Sequence, residues 1–119
     1  MPQKADSMRA LAGELRQFAA ARDWEQFHTP KNLAMALSVE SAELLEKFQW
    51  LTAEQSVQLD TRAKRAVGEE MADVLLYLTR LADVLQIDLV DAARRKLRAN
   101  ARKYPIAKSR GNARKYSEL

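Results

Sequence analysis

Two pairs of acidic residues constrain the fold of this chain more than any other feature. Glu40 and Glu43 form one pair, and Glu70 and Asp73 form the other. A spacing of three positions places both members of a pair on one face of an α-helix. If the two faces turn toward each other, the carboxylates repel, and a hard divalent cation with oxygen ligands, above all Mg²⁺, relieves the repulsion. The spacing therefore predicts two facing helices with a metal site between them.

The position of Glu40 distinguishes it from an ordinary surface charge. At about 100° per residue, Glu40 falls within the apolar stripe of its helix, and Glu43 lies at the edge of that stripe. A charge on a core-facing stripe is costly unless it is compensated, which favours a metal site. For any one acidic residue, an amphipathic helix with charges at the edge of its stripe is the alternative. The stripe consists of Leu33, Leu37, Leu44 and Phe48.

The second acidic pair lies along one side of a longer apolar stripe. Tyr77 falls on the same side as Glu70 and Asp73. Glu69 points to nearly the opposite face, so we expect it to face solvent although it adjoins Glu70. The stripe consists of Val67, Met71, Val74, Leu78, Leu81 and Leu85.

The composition narrows the fold class to all-α. Ala and Leu dominate the 119 residues, whereas Gly and Pro occur three times each. A chain of this length forms one domain with a modest core. We predict that this domain covers residues 1–105 and that a basic, loop-like tail covers residues 106–119.

Several classes of site and location are excluded by the same composition. Cysteine is absent, so there are no disulfides or thiolate metal sites, and a single histidine, His28, excludes a His-rich metal site. There is no recognisable signal peptide and no apolar run long enough to span a membrane. A cytoplasmic location without a membrane partner is expected.

Helix start signals divide the chain into four long helices and a short one. Thr29 is placed to cap a helix that has Pro30 at its first position. Thr52 and Gln55 match a capping box, which predicts a short helix, and Asp88 caps the last long one. The predicted long helices cover residues 6–22, 30–50, 61–86 and 89–104.

The net charge of +4 is concentrated toward the end of the sequence. From Arg94 onward, only Glu118 opposes the basic residues. Lys96, Asn100 and Lys103 line one flank of a predicted helix, and a row of this kind suits phosphate oxygens. A basic end beside an acidic metal pocket would suit a polyphosphate ligand. A solvated helix with a disordered tail and a nucleic-acid-binding arm are the alternatives.

Six segments of the sequence carry a family resemblance that covers the chain from about residue 8 to the end. They are residues 22–33, 40–44, 48–50, 69–78, 100–105 and 114–119. Together they resemble the MazG-like all-α nucleoside triphosphate pyrophosphohydrolases. The run DWEQFH at residues 23–28 and the run RKYSEL at residues 114–119 are similar to the branch of that family that acts on dCTP.

The resemblance implies a reaction, a fold and an assembly. The reaction is hydrolysis of dCTP, and of 5-modified dCTP, between the α- and β-phosphates, which gives the monophosphate and pyrophosphate. Its role would be house-cleaning, that is, removal of unwanted nucleotides from the nucleotide pool. Mg²⁺ would neutralise phosphate charge and lower the pKa of the attacking water, so no Ser, Cys or His nucleophile is needed. The fold implied is all-α and similar to a four-helix bundle. A second subunit completes its ligand pockets, usually in a homotetramer that is a dimer of dimers.

The roles of individual residues follow from the resemblance, position by position. One departure is Val39, where many MazG proteins have a glutamate, but the dCTP branch lacks that glutamate too. The metal ligands are Glu40, Glu43, Glu70 and Asp73. The base pocket is formed by Trp24, His28, Trp50 and Tyr77, and the phosphate side by Lys96 and Asn100.

Three other functions are alternatives to this one, and the sequence bears on each of them differently. A di-iron carboxylate bundle needs Glu-x-x-His motifs on two helices, and neither acidic helix contains histidine. A non-enzymatic basic helical protein that binds nucleic acid or a partner helix accounts for the basic end but not for the acidic pairs, so we expect no nucleic-acid partner. Hydrolysis of dUTP or phosphoribosyl-ATP on the same fold stays open, because the aromatic link favours cytosine only through the resemblance.

Overall fold

The computed structural model describes the backbone of residues 4–119 and the side chains from residue 7 onward, and within that range it contains helices and turns but no β-strand. The prediction of an all-α fold is therefore confirmed. The chain divides into two compact units, the first ending at Ile87 and the second beginning at Asp88.

The first unit is built on its longest helix, α4. Helix α2 packs along α4, and α1 packs against α4 as well. The helices of this unit are α1 (Lys4–Ala21), α2 (Pro30–Glu46), α3 (Ala53–Ser56) and α4 (Thr61–Val84), with a 3₁₀ turn at Glu25–Phe27 between α1 and α2.

Local capping explains where these helices begin. The Thr29 hydroxyl accepts a hydrogen bond from the backbone N–H of Asn32, which satisfies one of the free donors at the start of α2. Thr52 and Gln55 form both hydrogen bonds of a capping box at α3. Asp88 caps the following helix in the same way as Thr29. All three predicted helix starts are confirmed.

Two helices end at least two residues earlier than the sequence pattern predicts. α2 stops at Glu46 rather than near residue 50, because the backbone N–H groups of Phe48 and Gln49 both turn back to the carbonyl of Leu45. α4 stops at Val84, and Gln86 beyond it has φ of 57°. Each end includes a tighter hydrogen bond that spans three residues, from Phe48 to Leu45 at α2 and from Gln86 to Asp83 at α4.

The second unit contains α5 (Leu89–Lys103), α6 (Ile106–Ser109) and a 3₁₀ turn at Tyr116–Glu118. The ring of Tyr116 lies edge-on to Tyr104, with centroids 6.1 Å apart, and the Lys103 ammonium lies 4.8 Å above the Tyr116 ring. The prediction that residues 106–119 are loop-like is wrong for these two short helical segments, and the aromatic pair and the cation–π contact give the turn at Tyr116–Glu118 a local packing partner. The domain boundary at residue 105 stays a prediction.

Few side chains of the described chain are buried. Leu33 is the largest fully buried side chain among them, whereas Met71 of the predicted α4 stripe is 56% exposed. No helix within residues 4–119 combines the length and the hydropathy needed to cross a membrane. The buried residues are Ala19, Leu33, Thr79, Arg80 and Ala82.

Candidate functional site

Helices α2 and α4 bring three predicted metal ligands together. One carboxylate oxygen from each of Glu40, Glu43 and Glu70 lies within 4.8 Å of the other two, and all three residues are half-buried. The cluster forms because the two acidic faces meet where α2 packs along α4. Glu69 is exposed, as its helical angle predicts.

Asp73 lies beside this cluster rather than within it. Its negative charge contributes to raising the pKa of both Glu40 and Glu70, which places it within electrostatic reach of the cluster. Asp73 also lines the pocket described below. It therefore connects the acidic cluster to that pocket.

The acidic cluster disfavours its own charge. The pKa of Glu40 is raised to about 7, first by a hydrogen bond with the Glu43 carboxyl group and then by burial and by the neighbouring carboxylates. The pKa of Glu70 is also raised, first by burial and then by the charge of Glu43, while Lys47 opposes the shift. These are the causes expected where carboxylates share a partly desolvated site.

The cluster also has unused oxygen atoms. Oε2 of Glu40 and Oε2 of Glu70 are both buried without a hydrogen-bond partner. Buried polar atoms are nearly always satisfied, so unsatisfied ones need an explanation. Because a hard divalent cation binds carboxylate oxygens and offsets their repulsion, these residues fit such a cation.

The connection between α1 and α2 places a tryptophan beside the end of α1. Asp23 adopts a left-handed conformation with φ of 55°, which lets the Trp24 backbone N–H reach the carbonyl of Ala19 at 2.9 Å. A hydrophobic contact usually accompanies this type of helix end. Here it joins Trp24 to Phe18, whose rings are edge-on with centroids 5.8 Å apart.

A pocket of about 160 Å³ lies between this connection and α4. Its aromatic walls and few polar groups are typical of a small-molecule site. Of the four residues predicted for a base pocket, Trp24, His28 and Tyr77 line it together. The full lining is Leu15, Phe18, Trp24, His28, Asp73, Leu76, Tyr77 and Arg80.

Two residues that line this pocket, His28 and Arg80, belong to a hydrogen-bonded network. The Arg80 Nε donates a hydrogen bond to Nδ1 of His28 (3.1 Å), and the Arg80 Nη1 reaches Oδ2 of Asp83 at 3.3 Å. Burial, and then the charge of Arg80, lower the pKa of His28. Arg80 is not among the site residues predicted from the sequence, although it lies three residues after Tyr77 and seven after Asp73, on the same face of α4.

Three of the predicted site residues belong to other segments of the chain. Trp50 is 86% exposed and is not among the residues that line the pocket. Lys96 and Asn100 belong to α5 in the second unit, where Lys96 is exposed and Asn100 is half-buried. Their roles stay predictions.

Comparisons with known proteins place this architecture among a group of relatives. A model of the MazG-like family matches residues 35–119. The dCTP pyrophosphatase 1 of Homo sapiens is 48% identical over 105 residues, which cover 87% of this chain and 62% of that protein. The Bos taurus protein of the same name is 46% identical over an alignment of equal extent. The chain thus spans less than two thirds of the length of these curated relatives.

One solved structure has a similar fold, and nearly the whole of that structure aligns with this chain. It is the crystal structure of a pyrophosphatase from Archaeoglobus fulgidus, with a TM-score of 0.78 and 47% sequence identity. The similarity covers 83% of this chain and 93% of the archaeal one.

Proposed function

Since this chain belongs to the MazG-like family, we propose that it is a nucleoside triphosphate pyrophosphohydrolase and that its substrate is dCTP. Water would add to the α-phosphorus, and the bond from that phosphorus to the oxygen bridging to the β-phosphate would break, giving dCMP and pyrophosphate. The names of the relatives, dCTP pyrophosphatase and pyrophosphatase, support the reaction. The observation that carries the proposal is that the acidic cluster and the aromatic pocket adjoin through Asp73.

We propose Mg²⁺ as the cation of the acidic cluster. Glu40, Glu43 and Glu70 would hold it, with Asp73 as the fourth ligand. When bound, the cation would neutralise phosphate charge and lower the pKa of the attacking water. The carboxylates supply hard oxygen ligands, and the two unsatisfied Oε2 atoms support this assignment.

The aromatic pocket is the proposed site of the base. Trp24 and Tyr77 would provide flat apolar walls and His28 a polar group, so that 5-substituted dCTP would be bound in the same way as dCTP. Trp50 is a proposed further wall of the base site, and Lys96 and Asn100 are proposed phosphate ligands. We also propose that the active protein is a homotetramer whose catalytic domain spans residues 1–105.

A screen of pyrophosphate release tests the reaction and the substrate separately. All canonical nucleoside triphosphates and 5-substituted dCTP are incubated with the protein and Mg²⁺, and the products are resolved. We expect dCTP to be cleaved fastest, to dCMP and pyrophosphate. Release of orthophosphate would make the reaction class wrong, whereas equal cleavage of all deoxynucleoside triphosphates, or preference for dUTP, would remove only the assignment of dCTP.

A further inference from the structure

Arg80 is a buried charged residue with no role in the acidic cluster. Its side chain is 9% exposed and lines the aromatic pocket. A buried guanidinium destabilises a fold unless it is paired and hydrogen-bonded. The hydrogen bonds of Arg80 to Asp83 and His28 therefore need to be considered first.

Asp83 holds Arg80 in a fixed orientation. Its carboxylate accepts two hydrogen bonds from Arg16, at 2.7 Å on Oδ1 and 3.0 Å on Oδ2, and Oδ2 also accepts from Nη1 of Arg80 at 3.3 Å. The hydrogen bonds from Arg16 are the main reason that the pKa of Asp83 is lowered. The carboxylate is therefore ionised, and it keeps the Arg80 guanidinium with Nε directed at His28.

The contact between Arg80 and His28 fixes which imidazole nitrogen carries hydrogen. A guanidinium has only donors, so Nδ1 of His28 must accept and must itself be unprotonated. In a neutral imidazole the hydrogen then lies on Nε2. An imidazolium would set one N–H against another at 3.1 Å, which disfavours the charged form.

The other ring nitrogen is available for a ligand. His28 lines the pocket, and among the described residues Nε2 of His28 has no hydrogen-bond partner. The aromatic walls beside it accept any base, because every base has a flat face. A directed donor in the same pocket would distinguish bases by the position of their acceptor atoms.

We propose that Arg80 is a positioning residue for substrate selection: it holds His28 as the Nε2–H tautomer, so that His28 presents one hydrogen-bond donor to an acceptor atom on the edge of a nucleobase. The acceptor is a ring nitrogen or carbonyl oxygen of the kind that cytosine carries. The assignment of a base as the ligand rests on the proposed function, whereas the state of His28 does not.

Nitrogen-15 NMR of the histidine ring tests the tautomer directly. His28 is the single histidine of the chain, so ¹⁵N-histidine labelling reports on it alone. In the chain described, at pH 7 and without nucleotide or added metal, we expect Nε2 of His28 to carry a hydrogen and Nδ1 to carry none. Protonated Nδ1, or an imidazolium, would overturn the proposal without any variant.

Substitution of Arg80 tests its part in the arrangement. Arg80→Met removes the donor, so both tautomers should appear, and KM for dCTP should rise about tenfold with a much smaller change in kcat, as for the loss of one hydrogen bond. Arg80→Lys keeps a donor and should retain the Nε2–H tautomer. Arg65→Met, at an exposed position of the same helix, is the matched control. An unchanged tautomer and KM in Arg80→Met would overturn the role of Arg80.

If Arg80→Met fails to fold, the wild-type spectrum and Arg80→Lys still decide. A folded Arg80→Lys protein that retains the Nε2–H tautomer and the wild-type KM would support the proposal, whereas one that shows mostly the Nδ1–H tautomer would overturn control of the tautomer by a donor at this position. A wild-type KM together with that tautomer would overturn the link between the tautomer and substrate selection.

Ligand titrations locate the acceptor. We expect dCMP to shift the Nε2–H resonance of His28 and 2-deoxyribose 5-phosphate, which lacks the base, to leave it in place. Equal shifts would overturn the contact with the base. Absence of pyrophosphate release from every nucleoside triphosphate, with the Nε2–H tautomer intact, would instead count against the proposed function. An active enzyme in which dCMP leaves His28 unshifted would overturn the proposal and spare that function.

Discussion

Glu69 and Glu70 are neighbours in sequence but lie on different sides of α4. Glu70 belongs to the acidic cluster, and Glu69 is exposed. We expect Glu70→Gln to lower Mg²⁺-dependent turnover by about 100-fold or more, because a neutral amide is a poor ligand for a hard cation. Glu69→Gln is the matched control and should change turnover little. Steady-state pyrophosphate release measures both, and equal losses would show that α4 is rotated relative to our description.

Glu40 should be important for activity yet unfavourable for stability. Its pKa of about 7 shows that the folded, metal-free protein disfavours the charged form. Glu40→Gln has nearly the shape of the protonated side chain, so it should remove activity and raise the melting temperature in chelator at pH 8. Circular dichroism measures the melting temperature, with Glu69→Gln as control. A lower melting temperature in Glu40→Gln would contradict the repulsion that we describe.

His28 should make stability depend on pH in the opposite direction from Glu40. Burial and the charge of Arg80 hold its folded pKa below the ordinary value of 6.5, so its stabilising contribution is complete above pH 6.5. That contribution is lost as the pH falls from 6.5 to the folded pKa, because the unfolded chain takes up the proton first. Urea unfolding between pH 7.5 and 5.5, each value about one unit from 6.5, should show a larger loss for wild type than for His28→Gln. Parallel losses would indicate an unshifted histidine.

The site residues that could be predicted from the sequence are those whose neighbours follow from their spacing along a helix. Glu40 and Glu43 share a face because of their spacing, and packing of two amphipathic helices was enough to bring Glu70 to them. The hydrogen bond between His28 and Arg80 joins residues 52 positions apart. It depends on the course of the chain after α1 and on the rotation of α4, and neither has a local sequence signal.

At the scale of elements, the end of α4 uses a residue that is poorly suited to its conformation. Gln86 has φ of 57°, where glycine is favoured, and its backbone N–H bonds to the carbonyl of Asp83. We expect Gln86→Gly to stabilise the fold by about 0.5–1 kcal/mol, because glycine adopts this conformation without strain. Loss of the hydrogen bond from the Gln86 side chain to the same carbonyl should offset part of this gain. Urea titration measures the change.

A second glutamine provides a control for Gln86→Gly in which the change in stability should have the opposite sign. Gln17 is exposed within α1, where glycine should destabilise by about 1 kcal/mol. Destabilisation of similar size by Gln17→Gly and Gln86→Gly would show that the backbone conformation at Gln86 carries no strain.

Helix starts were easier to predict than helix ends, for a physical reason. Thr29, Thr52 and Asp88 cap helices through their own side chains, and this chemistry is visible in sequence. The ends of α1 and α4 rely on Asp23 and Gln86 in left-handed conformations without glycine. Such ends follow from backbone hydrogen bonds that the residue type does not announce.

For the whole molecule, the small core is the main argument for assembly. Large apolar side chains on several elements remain exposed in the single chain. Burial of such surface is the main favourable contribution to association. The exposed set includes Met35, Val39, Leu45, Trp50, Val57, Met71, Leu75, Leu97 and Ile106.

Trp50 provides a direct measure of that assembly. The chain has two tryptophans, so Trp24→Phe leaves Trp50 as the single reporter. Its side chain is 86% exposed in the isolated chain, and a subunit interface would remove it from water. As concentration is raised, we expect its emission to move to shorter wavelength and acrylamide quenching to fall, in step with the increase in mass toward a tetramer measured by light scattering. A stable monomer that is fully active would refute the assembly that we propose, and a tetramer in which acrylamide still quenches Trp50 freely would show that Trp50 lies outside its interfaces.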